Sequence, residues 1–474
     1  MILKILGTIL FIETLAFMLV VVVAIIYGES TSPFLLPAAV TALLSVIFYF
    51  LSGRADDSVV GTKEGYLSVT LAWLLISFAG AFPFLLSGTV SSFTDAFFES
   101  ASGFTTTGAT IFSDVESLPH SILFWRSLTH WIGGIGIIVL VILILPAFKI
   151  INYQLFSLES SGAEKIHPKT RSIGFRLLFI YLGLTVTEVV LLWAGDMNLF
   201  ESICHSLGTV STGSFSTRND SLASFSSYSQ YIVMIFMFLS GISFVIFYYF
   251  FKLRFKSIKY NDEFWFYFGT VVLAATVLTS ILIAKTHKPF ESAFREGVFQ
   301  SVSFLTTTGY TNSNYLLWPS TAQIIIFLLL FTGASTGSPS GGIKMGRHLI
   351  ILKNIRNVFV KILHPNAVYQ IRYNNQYLSW NANVTVISFI VLYLFIFLIS
   401  SGILTFTGTD PVTAASMAAA SFGNIGPALG NIGPFNHYSA IPDLSKWILS
   451  LLMILGRLEI FTIVLLFTRS FWKK

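Results

Sequence analysis

The sequence predicts an all-α polytopic membrane protein, in which two N-terminal helices precede four pseudo-symmetric repeats of long helix, short helix and long helix. Three observations lead to this fold class: an apolar composition, apolar stretches from end to end, and a glycine-containing segment that recurs four times. Hydrophobic residues make up 54% of the 474 positions, charged residues 11%, and the mean hydropathy is +0.77. A soluble domain carries about a quarter charged residues, so this chain has too few to cover a water-facing surface.

Ten stretches are apolar and long enough, at roughly 20 residues, to cross a bilayer as helices. The first is too long for a signal-peptide core and is predicted to be a retained helix. An even number of crossings places both termini on one side. The predicted spans are residues 5–27, 33–52, 66–87, 121–148, 172–194, 229–251, 264–285, 321–352, 381–404 and 446–470.

Basic residues determine the predicted orientation. They cluster between apolar stretches and at the C-terminal end, and short basic loops stay in the cytoplasm. We therefore expect a multi-pass protein of the cytoplasmic (inner) membrane, in contact with lipid, with both termini cytoplasmic. A nucleic-acid surface is disfavoured because the clusters punctuate membrane spans. The clusters are Arg54 and Lys63; Lys149, Lys165, Lys169, Arg171 and Arg176; Lys252, Arg254, Lys256 and Lys259; Lys344, Arg347, Lys353, Arg356 and Lys361; and Arg469, Lys473 and Lys474.

Four loops on the opposite side repeat one pattern. FESASGFTTTG ends at Gly108 and FQSVSFLTTTG at Gly309, while LGTVSTG ends at Gly213 and SFGNIG at Gly426. Each lies between two apolar spans, so the repeating unit is span, short helix, extended glycine segment, span. The predicted division is residues 1–60 for the two N-terminal helices and residues 61–160, 161–258, 259–372 and 373–474 for the four repeats.

Non-helical backbone at membrane depth is tolerated only where protein buries it or where it lines a watery cavity. Four such segments suggest a ring around one ion pore, with the short helices as pore helices. Backbone carbonyls can replace the water shell of K⁺, and glycine can adopt the positive φ that such a filter needs. The predicted K⁺-binding residues, the only metal site expected, are Thr106, Thr107, Gly108, Ser211, Thr212, Gly213, Thr307, Thr308, Gly309, Asn424, Ile425 and Gly426.

Carboxylates are nearly absent from these segments, which argues against a divalent cation. Glu99 and Glu201 precede their glycines, and we expect them to attract cations near the mouth. The main alternative is that each motif is an ordinary helix end with a glycine cap. Four matched occurrences disfavour that alternative.

A run of glycines and a proline interrupts the span in the third repeat. Both residue types lower helix stability, so a loop is predicted on the cytoplasmic side of the filter, where it would gate the ion path. Arg457, a charge inside the last span, is expected near this loop as an electrostatic barrier or an anchor. We call residues 333–342 the gate loop: Gly333, Ala334, Ser335, Thr336, Gly337, Ser338, Pro339, Ser340, Gly341 and Gly342.

Two motifs resemble enzyme signatures. GASTG fits the nucleophile pattern of serine hydrolases, but no strand precedes Ser335 and no Asp–His pair is placed, so no catalytic residue is predicted. GGIG, from Gly133 to Gly136, lies in an apolar span, and close helix packing explains it better than nucleotide binding. The single cysteine, Cys204, excludes an intramolecular disulfide. A Na⁺- or H⁺-coupled symporter stays open as the alternative function.

The motifs TTTGAT, STGSFS, TTTGY and GNIGP together resemble the filters of the Trk/Ktr/HKT superfamily of potassium transporters, over essentially the whole chain. The two additional N-terminal spans resemble the TrkH-type subunit rather than the eight-span KtrB type. The resemblance implies one filter glycine per repeat, a gate loop in the third repeat and a basic residue matching Arg457. It also implies a homodimer and a cytosolic, TrkA-like nucleotide-binding regulatory subunit on the basic inner face. The chain itself has no nucleotide-binding motif, so no cofactor is expected in it.

Overall fold

The computed structural model describes residues 2–53, 61–144, 170–366 and 370–473. In these ranges the regular structure is almost entirely helical. Two very short strand pairs accompany the helices: Thr332–Gly333 lies parallel to Ile343–Lys344, and Arg372–Tyr373 lies antiparallel to Gln376–Tyr377. The predicted all-α membrane class is therefore confirmed.

The first two helices, Ile2–Ile26 and Ser32–Leu51, form a tightly packed hairpin. Ser45 Oγ donates a 2.7 Å hydrogen bond to the Gly7 carbonyl, and the hydroxyls of Thr14 and Thr41 lie 2.8 Å apart. Small and polar residues let two helix backbones approach closely inside a membrane. The predicted N-terminal pair is thus a unit held by packing and by polar contacts between the two helices.

Among the described residues, six helices are long and apolar enough to cross a membrane, or up to eight if each of two bent pairs counts as one span. The fourth predicted span begins as helix His120–Ile144, and its last residues lie outside the described ranges. The six are Ile2–Ile26, Ser32–Leu51, Lys63–Leu86, Gly174–Trp193, Asp262–Thr286 and Trp380–Phe406.

Two predicted spans are bent rather than straight. Ser227–Ser240 meets Phe244–Phe250 at 95°, and Asp443–Arg457 meets Ile460–Phe467 at 111°. At the first bend the Gly241 carbonyl accepts a hydrogen bond from the gate loop, and at the second Glu459 has a φ of 60°. The eighth predicted span is divided by its loop into helices Ser320–Leu329 and Met345–Leu363. Tertiary contacts therefore redirect helices that composition alone predicts to be straight.

Each repeat contains the predicted short helix. Local capping explains where two of them begin. Asn198 and Glu201 form a reciprocal capping box, and the Asp410 carboxylate accepts a 3.0 Å hydrogen bond from the Thr413 N–H. The four short helices are Phe93–Phe104, Leu199–Val210, Phe290–Leu305 and Pro411–Phe422.

The remaining helices include the full extents of some of these spans and the short helices between them. The further α-helices are Thr62–Ala79, Phe82–Leu86, Thr170–Trp193, Phe244–Phe251, Phe255–Lys259, Asp262–Thr286 and Arg469–Trp472, and the 3₁₀ helices are Tyr315–Leu317 and Leu465–Phe467.

The polar and apolar surfaces are arranged as a bilayer requires. Most serines and threonines of the short helices are buried, among them Ser100, Ser206 and Ser303. Large apolar side chains such as Phe11 and Leu273 are instead exposed on the outer helices. A water-soluble protein rarely presents so much contiguous apolar surface. The short helices and the segments that follow them therefore form the centre of the protein, and the long helices separate them from lipid.

The glycines of GGIG bring helix His120–Ile144 against two of the short helices, which confirms the packing prediction. A Cβ on Gly133 would overlap the carbonyl oxygen of Phe104, at the end of the first short helix. A Cβ on Gly134 would lie 2.8 Å from Ser211 Cβ, just after the second. This helix is thus wedged between the first two repeats.

We predict that Gly134→Leu destabilises the protein by ~1–3 kcal/mol, the usual cost of forcing extra volume into a close-packed interior. Gly183→Leu is the matched control, because no atom lies within 4 Å of the position of its Cβ. Thermal unfolding of the purified protein in detergent, followed by size-exclusion chromatography, measures the effect. Equal melting temperatures for the two variants would contradict the packing assignment.

Candidate functional site

Four segments, each directly after a short helix, share one unusual backbone conformation. We call them the filter segments, after their predicted role. One residue in each has a left-handed φ between 54° and 59°, although none of the four is glycine. Non-glycine residues seldom adopt this conformation. Its occurrence at one equivalent position in every repeat shows that the four segments have the same local fold. The residues are Thr106, Thr212, Thr307 and Asn424.

Hydrogen bonds to the short helices establish the register of the four segments. In each repeat, the residue that follows the left-handed one donates its N–H to the carbonyl of the residue five positions earlier, at 2.9–3.0 Å. These donors are Thr107, Gly213, Thr308 and Ile425. The residues that follow them, which form the third position of each segment, are Gly108, Ser214, Gly309 and Gly426.

The second repeat therefore differs from the sequence prediction by one residue. We predicted Ser211, Thr212 and Gly213 as its filter residues, but Thr212, Gly213 and Ser214 occupy the equivalent positions. Ser211 instead ends the short helix, and its hydroxyl donates to the Leu207 carbonyl at 2.7 Å. Gly213 is not among the residues with positive φ. It is needed for another reason, because a Cβ there would lie 2.5 Å from His130 Cδ2.

The third-position residues meet at the centre of the protein. Gly108, Gly309 and Gly426 have φ values of 81°, 85° and 93°, as predicted for filter glycines. A Cβ on Gly309 would overlap the carbonyl oxygen of Ile425, and one on Gly426 would overlap that of Thr107. Backbone carbonyls from different repeats are therefore close neighbours, as ligands of one desolvated cation must be.

The third-position residues and the neighbouring carbonyls form a ring at the centre of the protein. A cavity of about 620 Å³, open to solvent, lies beside this ring. Its lining includes the third-position residues of all four repeats, together with Arg126 and Arg218. The ring is thus accessible from one side through a polar vestibule.

The first carboxylate that we predicted to attract cations is buried in an ion pair. Glu99 is fully buried, and its Oε1 lies 2.8 Å from Arg126 Nε. Its Oε2 accepts a 2.9 Å hydrogen bond from the Ile111 N–H, three residues beyond Gly108. Arg126 also donates to the Ser216 carbonyl at 3.2 Å. Glu99 therefore anchors the chain that leaves the filter, and the adjacent arginine compensates its charge.

The second carboxylate has a similar position in its own repeat. Glu201 Oε1 lies 2.7 Å from Arg218 Nη2, and the same side chain forms the capping box with Asn198. The sequence analysis did not predict either arginine partner. Each arginine lies no more than 18 residues after the filter segment of its own repeat. An attractor role for Glu99 or Glu201 is not supported, because an arginine pairs with each charge.

His130 connects the first two repeats behind the ring. Its Nε2 accepts a 3.1 Å hydrogen bond from the Phe215 N–H, so its Nδ1 carries the proton donated to the Gly103 carbonyl at 2.8 Å. The ring also stacks on Phe215, with centroids 4.2 Å apart. His130 therefore links Phe215, the residue after Ser214, to the end of the first short helix.

The gate loop contacts the filter directly. The Gly341 N–H donates a 2.7 Å hydrogen bond to Thr307 Oγ1, and a Cβ on Gly341 would overlap the Gly423 carbonyl oxygen. The Ser335 N–H donates to the Gly241 carbonyl at 3.1 Å. The predicted loop is therefore non-helical and lies against the third and fourth filter segments.

Arg457 lies at the predicted position next to this loop. Its guanidinium donates to the Pro339 carbonyl and, at 3.0 Å, to the Gly133 carbonyl. The nearby Glu459 pairs with Arg347, whose Nη2 lies 2.7 Å from Glu459 Oε2. Arg457 thus connects the gate loop to the span that packs against the first two short helices.

A carboxylate that sequence reasoning missed also holds the gate loop. Glu263, 1% exposed, accepts hydrogen bonds from the Thr336 N–H at 2.7 Å and the Gly346 N–H at 2.8 Å. The Tyr373 hydroxyl, from the small antiparallel strand pair, donates to its other oxygen at 2.7 Å. The sequence signal that could have identified Glu263 is its position as an acidic residue in the first turn of an apolar span.

Ser335 lacks the partners of a hydrolytic nucleophile. It is 1% exposed, and its hydroxyl forms no hydrogen bond with any residue that the structure describes. A serine nucleophile needs an adjacent base within hydrogen-bond reach. The geometry gives no support to the enzyme alternative.

We predict that Glu263→Ala loosens the gate loop, because hydrogen bonds to a charged group contribute ~1.5–3 kcal/mol each. Amide hydrogen exchange of residues 334–346 should become roughly tenfold faster or more, since ~1.4 kcal/mol changes an opening equilibrium tenfold. Glu263→Gln is the matched control, because its side-chain oxygen can still accept from both amides. Unchanged exchange in Glu263→Ala would contradict the anchoring role.

Comparison with known proteins gives a consistent result. A sequence model of the TrkH family, described as a cation transport protein, matches residues 38–474. The chain is 33% identical over 483 residues to the Trk system potassium uptake protein TrkH of Halomonas elongata, covering 100% of this chain and 99% of that protein. It is also 33% identical to the protein of the same name from Escherichia coli K12, covering 95% of each.

The fold has a solved counterpart. The crystal structure of the potassium transporter TrkH from Vibrio parahaemolyticus superimposes with a TM-score of 0.91 at 31% sequence identity. The match covers 100% of this chain and 99% of that one. Fold and sequence therefore agree over the full length of the chain.

Proposed function

Because the chain belongs to the TrkH family of cation transport proteins, we propose that it takes up potassium across the cytoplasmic membrane through a gated, selective pore. In this proposal it is the membrane subunit of a Trk-type system, as the names of its relatives suggest. The observation that carries the proposal is the ring in which filter segments of different repeats bring their backbone carbonyls together.

The ring has the chemistry that K⁺ requires. Carbonyl oxygens can replace the hydration shell of a monovalent cation without a carboxylate. Each short helix ends at its filter segment, and a helix C-terminus carries roughly half a negative charge, which favours a cation there. In this proposal the ligands come from the first three positions of each segment: Thr106, Thr107 and Gly108; Thr212, Gly213 and Ser214; Thr307, Thr308 and Gly309; and Asn424, Ile425 and Gly426.

Passive conduction is favoured over coupled symport. The relatives are named as potassium uptake proteins, and none of the comparisons supports a Na⁺- or H⁺-coupled mechanism. The positions of the basic loops in the sequence also give all four repeats one orientation, whereas many coupled transporters contain inverted repeats.

The partners of the chain follow from the same assignment. We infer a homodimer in the inner membrane, with both termini cytoplasmic and a nucleotide-binding regulatory subunit docked on the basic inner face. The short helix Phe255–Lys259 carries part of that face, because Lys256 and Lys259 are exposed there. A regulator bound near the strand pair Arg372–Tyr377 would act on the gate loop through Tyr373 and Glu263.

The first test is ⁸⁶Rb⁺ uptake into proteoliposomes, measured for the full chain and for a variant that lacks Ala334 to Ser340. Excess K⁺ should suppress uptake, while choline should not. Gly309→Asp should abolish uptake, because its side chain would collide with the Ile425 carbonyl in the ring. Gly28→Asp is the control, since Gly28 is exposed in the turn between the first two helices and its Cβ position meets no atom within 4 Å. Uptake that survives Gly309→Asp would contradict the assigned pore.

The second test concerns the gate. Deleting Ala334 to Ser340 should raise Rb⁺ flux without a regulatory partner. The deletion removes the part of the loop that positions Gly341 against Thr307 of the filter, including the Pro339 carbonyl that accepts from Arg457. Arg457→Gln should raise it roughly tenfold or more, since it removes charged hydrogen bonds that each contribute ~1.5–3 kcal/mol. Flux equal to that of the full chain in both variants would show that the loop is a passive kink.

A further inference from the structure

Two cations from different helices meet at one tyrosine. Arg176 Nη1 donates a 3.1 Å hydrogen bond to the Tyr248 hydroxyl, and the guanidinium carbon lies 5.5 Å from the centre of the tyrosine ring. Lys252 Nζ lies 5.6 Å from the same ring centre. Arg176 belongs to helix Thr170–Trp193, whereas Lys252 directly follows helix Phe244–Phe251, which contains the tyrosine. Two positive charges are therefore held around one half-buried aromatic ring.

No carboxylate neutralises these charges in the part of the chain that the structure describes. Arg176 and Lys252 are both exposed, and neither forms an ion pair with a described residue. Arg126 and Arg218, by contrast, each pair with a glutamate. An anion between Arg176 and Lys252 would reduce their mutual repulsion and receive charge-assisted hydrogen bonds from both.

The basic pair lies at the end of a membrane span. Arg176 is the third residue of the apolar stretch Gly174–Trp193. Phe179, one turn further along that helix, and Leu253, directly after Lys252, are each more than half exposed. Exposed apolar side chains beside cations at a helix end are typical of a membrane interface, where lipid tails cover the apolar groups and headgroups meet the charges.

We propose that Arg176, Lys252 and the Tyr248 hydroxyl bind the phosphate group of an anionic phospholipid. The guanidinium and the ammonium both have donors left after the single hydrogen bond to Tyr248, and the tyrosine proton is available as a third donor. The acyl chains would lie along the exposed face that includes Phe179. This site is separate from the filter segments, so lipid can occupy it whether or not the pore conducts.

The helix that carries Tyr248 also contacts the gate loop. At its start, the Phe244 N–H donates to the Gly337 carbonyl at 3.4 Å. Just before it, the Gly241 carbonyl accepts a 3.1 Å hydrogen bond from the Ser335 N–H. A lipid that holds the far end of this helix therefore restrains the loop residues that its near end contacts.

The test is thermal unfolding of the purified full-length protein in detergent, titrated with phosphatidylglycerol. A ligand that binds the folded state raises the melting temperature, so the titration gives a half-saturating concentration. Phosphatidylcholine, whose headgroup has no net charge, and inorganic phosphate are titrated in parallel. The proteins compared are the wild type, Y248F, R176Q/K252Q and the matched control K256Q/K259Q, which removes the same charge from the exposed lysines of the neighbouring short helix.

We expect phosphatidylglycerol to stabilise the wild type and K256Q/K259Q at similar concentrations, and more strongly than phosphatidylcholine or phosphate does. In R176Q/K252Q the half-saturating concentration should rise about tenfold, the change that ~1.4 kcal/mol produces. Y248F, which keeps the ring and loses the hydroxyl, should give a smaller rise.

Three results would overturn the lipid site. An equal rise in both double variants would show that overall charge, rather than this pair, attracts the lipid. An unchanged concentration in R176Q/K252Q would leave the pair to a protein partner. Equal stabilisation by inorganic phosphate would show a general anion site.

The connection to the gate loop has its own measurement. Phosphatidylglycerol should slow amide hydrogen exchange of residues 335–337 in the wild type and not in R176Q/K252Q, because only the wild-type helix is held by lipid. Exchange that lipid leaves unchanged in the wild type would overturn this connection.

Discussion

Unpaired backbone carbonyls at membrane depth are the constraint on which this structure depends. In hydrocarbon each unsatisfied polar group costs several kcal/mol, so an extended segment survives only if protein surrounds it and something polar occupies its open side. The four filter segments meet this requirement by following buried short helices and by converging on a common ring. The long helices separate this polar centre from lipid, and their exposed apolar side chains form the outer surface.

Each repeat stabilises its outgoing chain with different side chains. In the first repeat the buried Glu99–Arg126 pair does so, and in the second Arg218 pairs with Glu201. In the third repeat Asn312 donates to Gln230, which also accepts from an arginine of the short helix. In the fourth the Tyr438 hydroxyl donates to the Gly426 carbonyl at 2.7 Å. The four filter segments therefore have similar backbones, but different side-chain contacts hold each of them. The four sides of the ring are not equivalent for a bound ion.

The gate loop belongs to the same network of polar contacts. Its N–H groups are satisfied by Thr307 of the filter, by the Gly241 carbonyl and by the Glu263 carboxylate, and its Pro339 carbonyl accepts from Arg457. These anchors come from three different repeats, and Tyr373 of the antiparallel strand pair holds one of them, Glu263. The Glu263 carboxylate that Tyr373 contacts also accepts hydrogen bonds from Thr336 within the loop and from Gly346 just after it. The contacts thus form a continuous physical connection between the strand pair and the filter segments.

The sequence by itself determined the membrane class, the two N-terminal helices, the four repeats, the short helices and the position of the gate loop. These features depend on composition and local periodicity, which each stretch of chain carries independently of its neighbours. Only the tertiary structure decided that Ser214 rather than Gly213 occupies the third filter position, that arginines neutralise Glu99 and Glu201, and that two spans bend. A φ angle and a charge partner depend on atoms far away in the chain. Gly213, for example, is a glycine because His130, 83 residues earlier, occupies the space of its side chain.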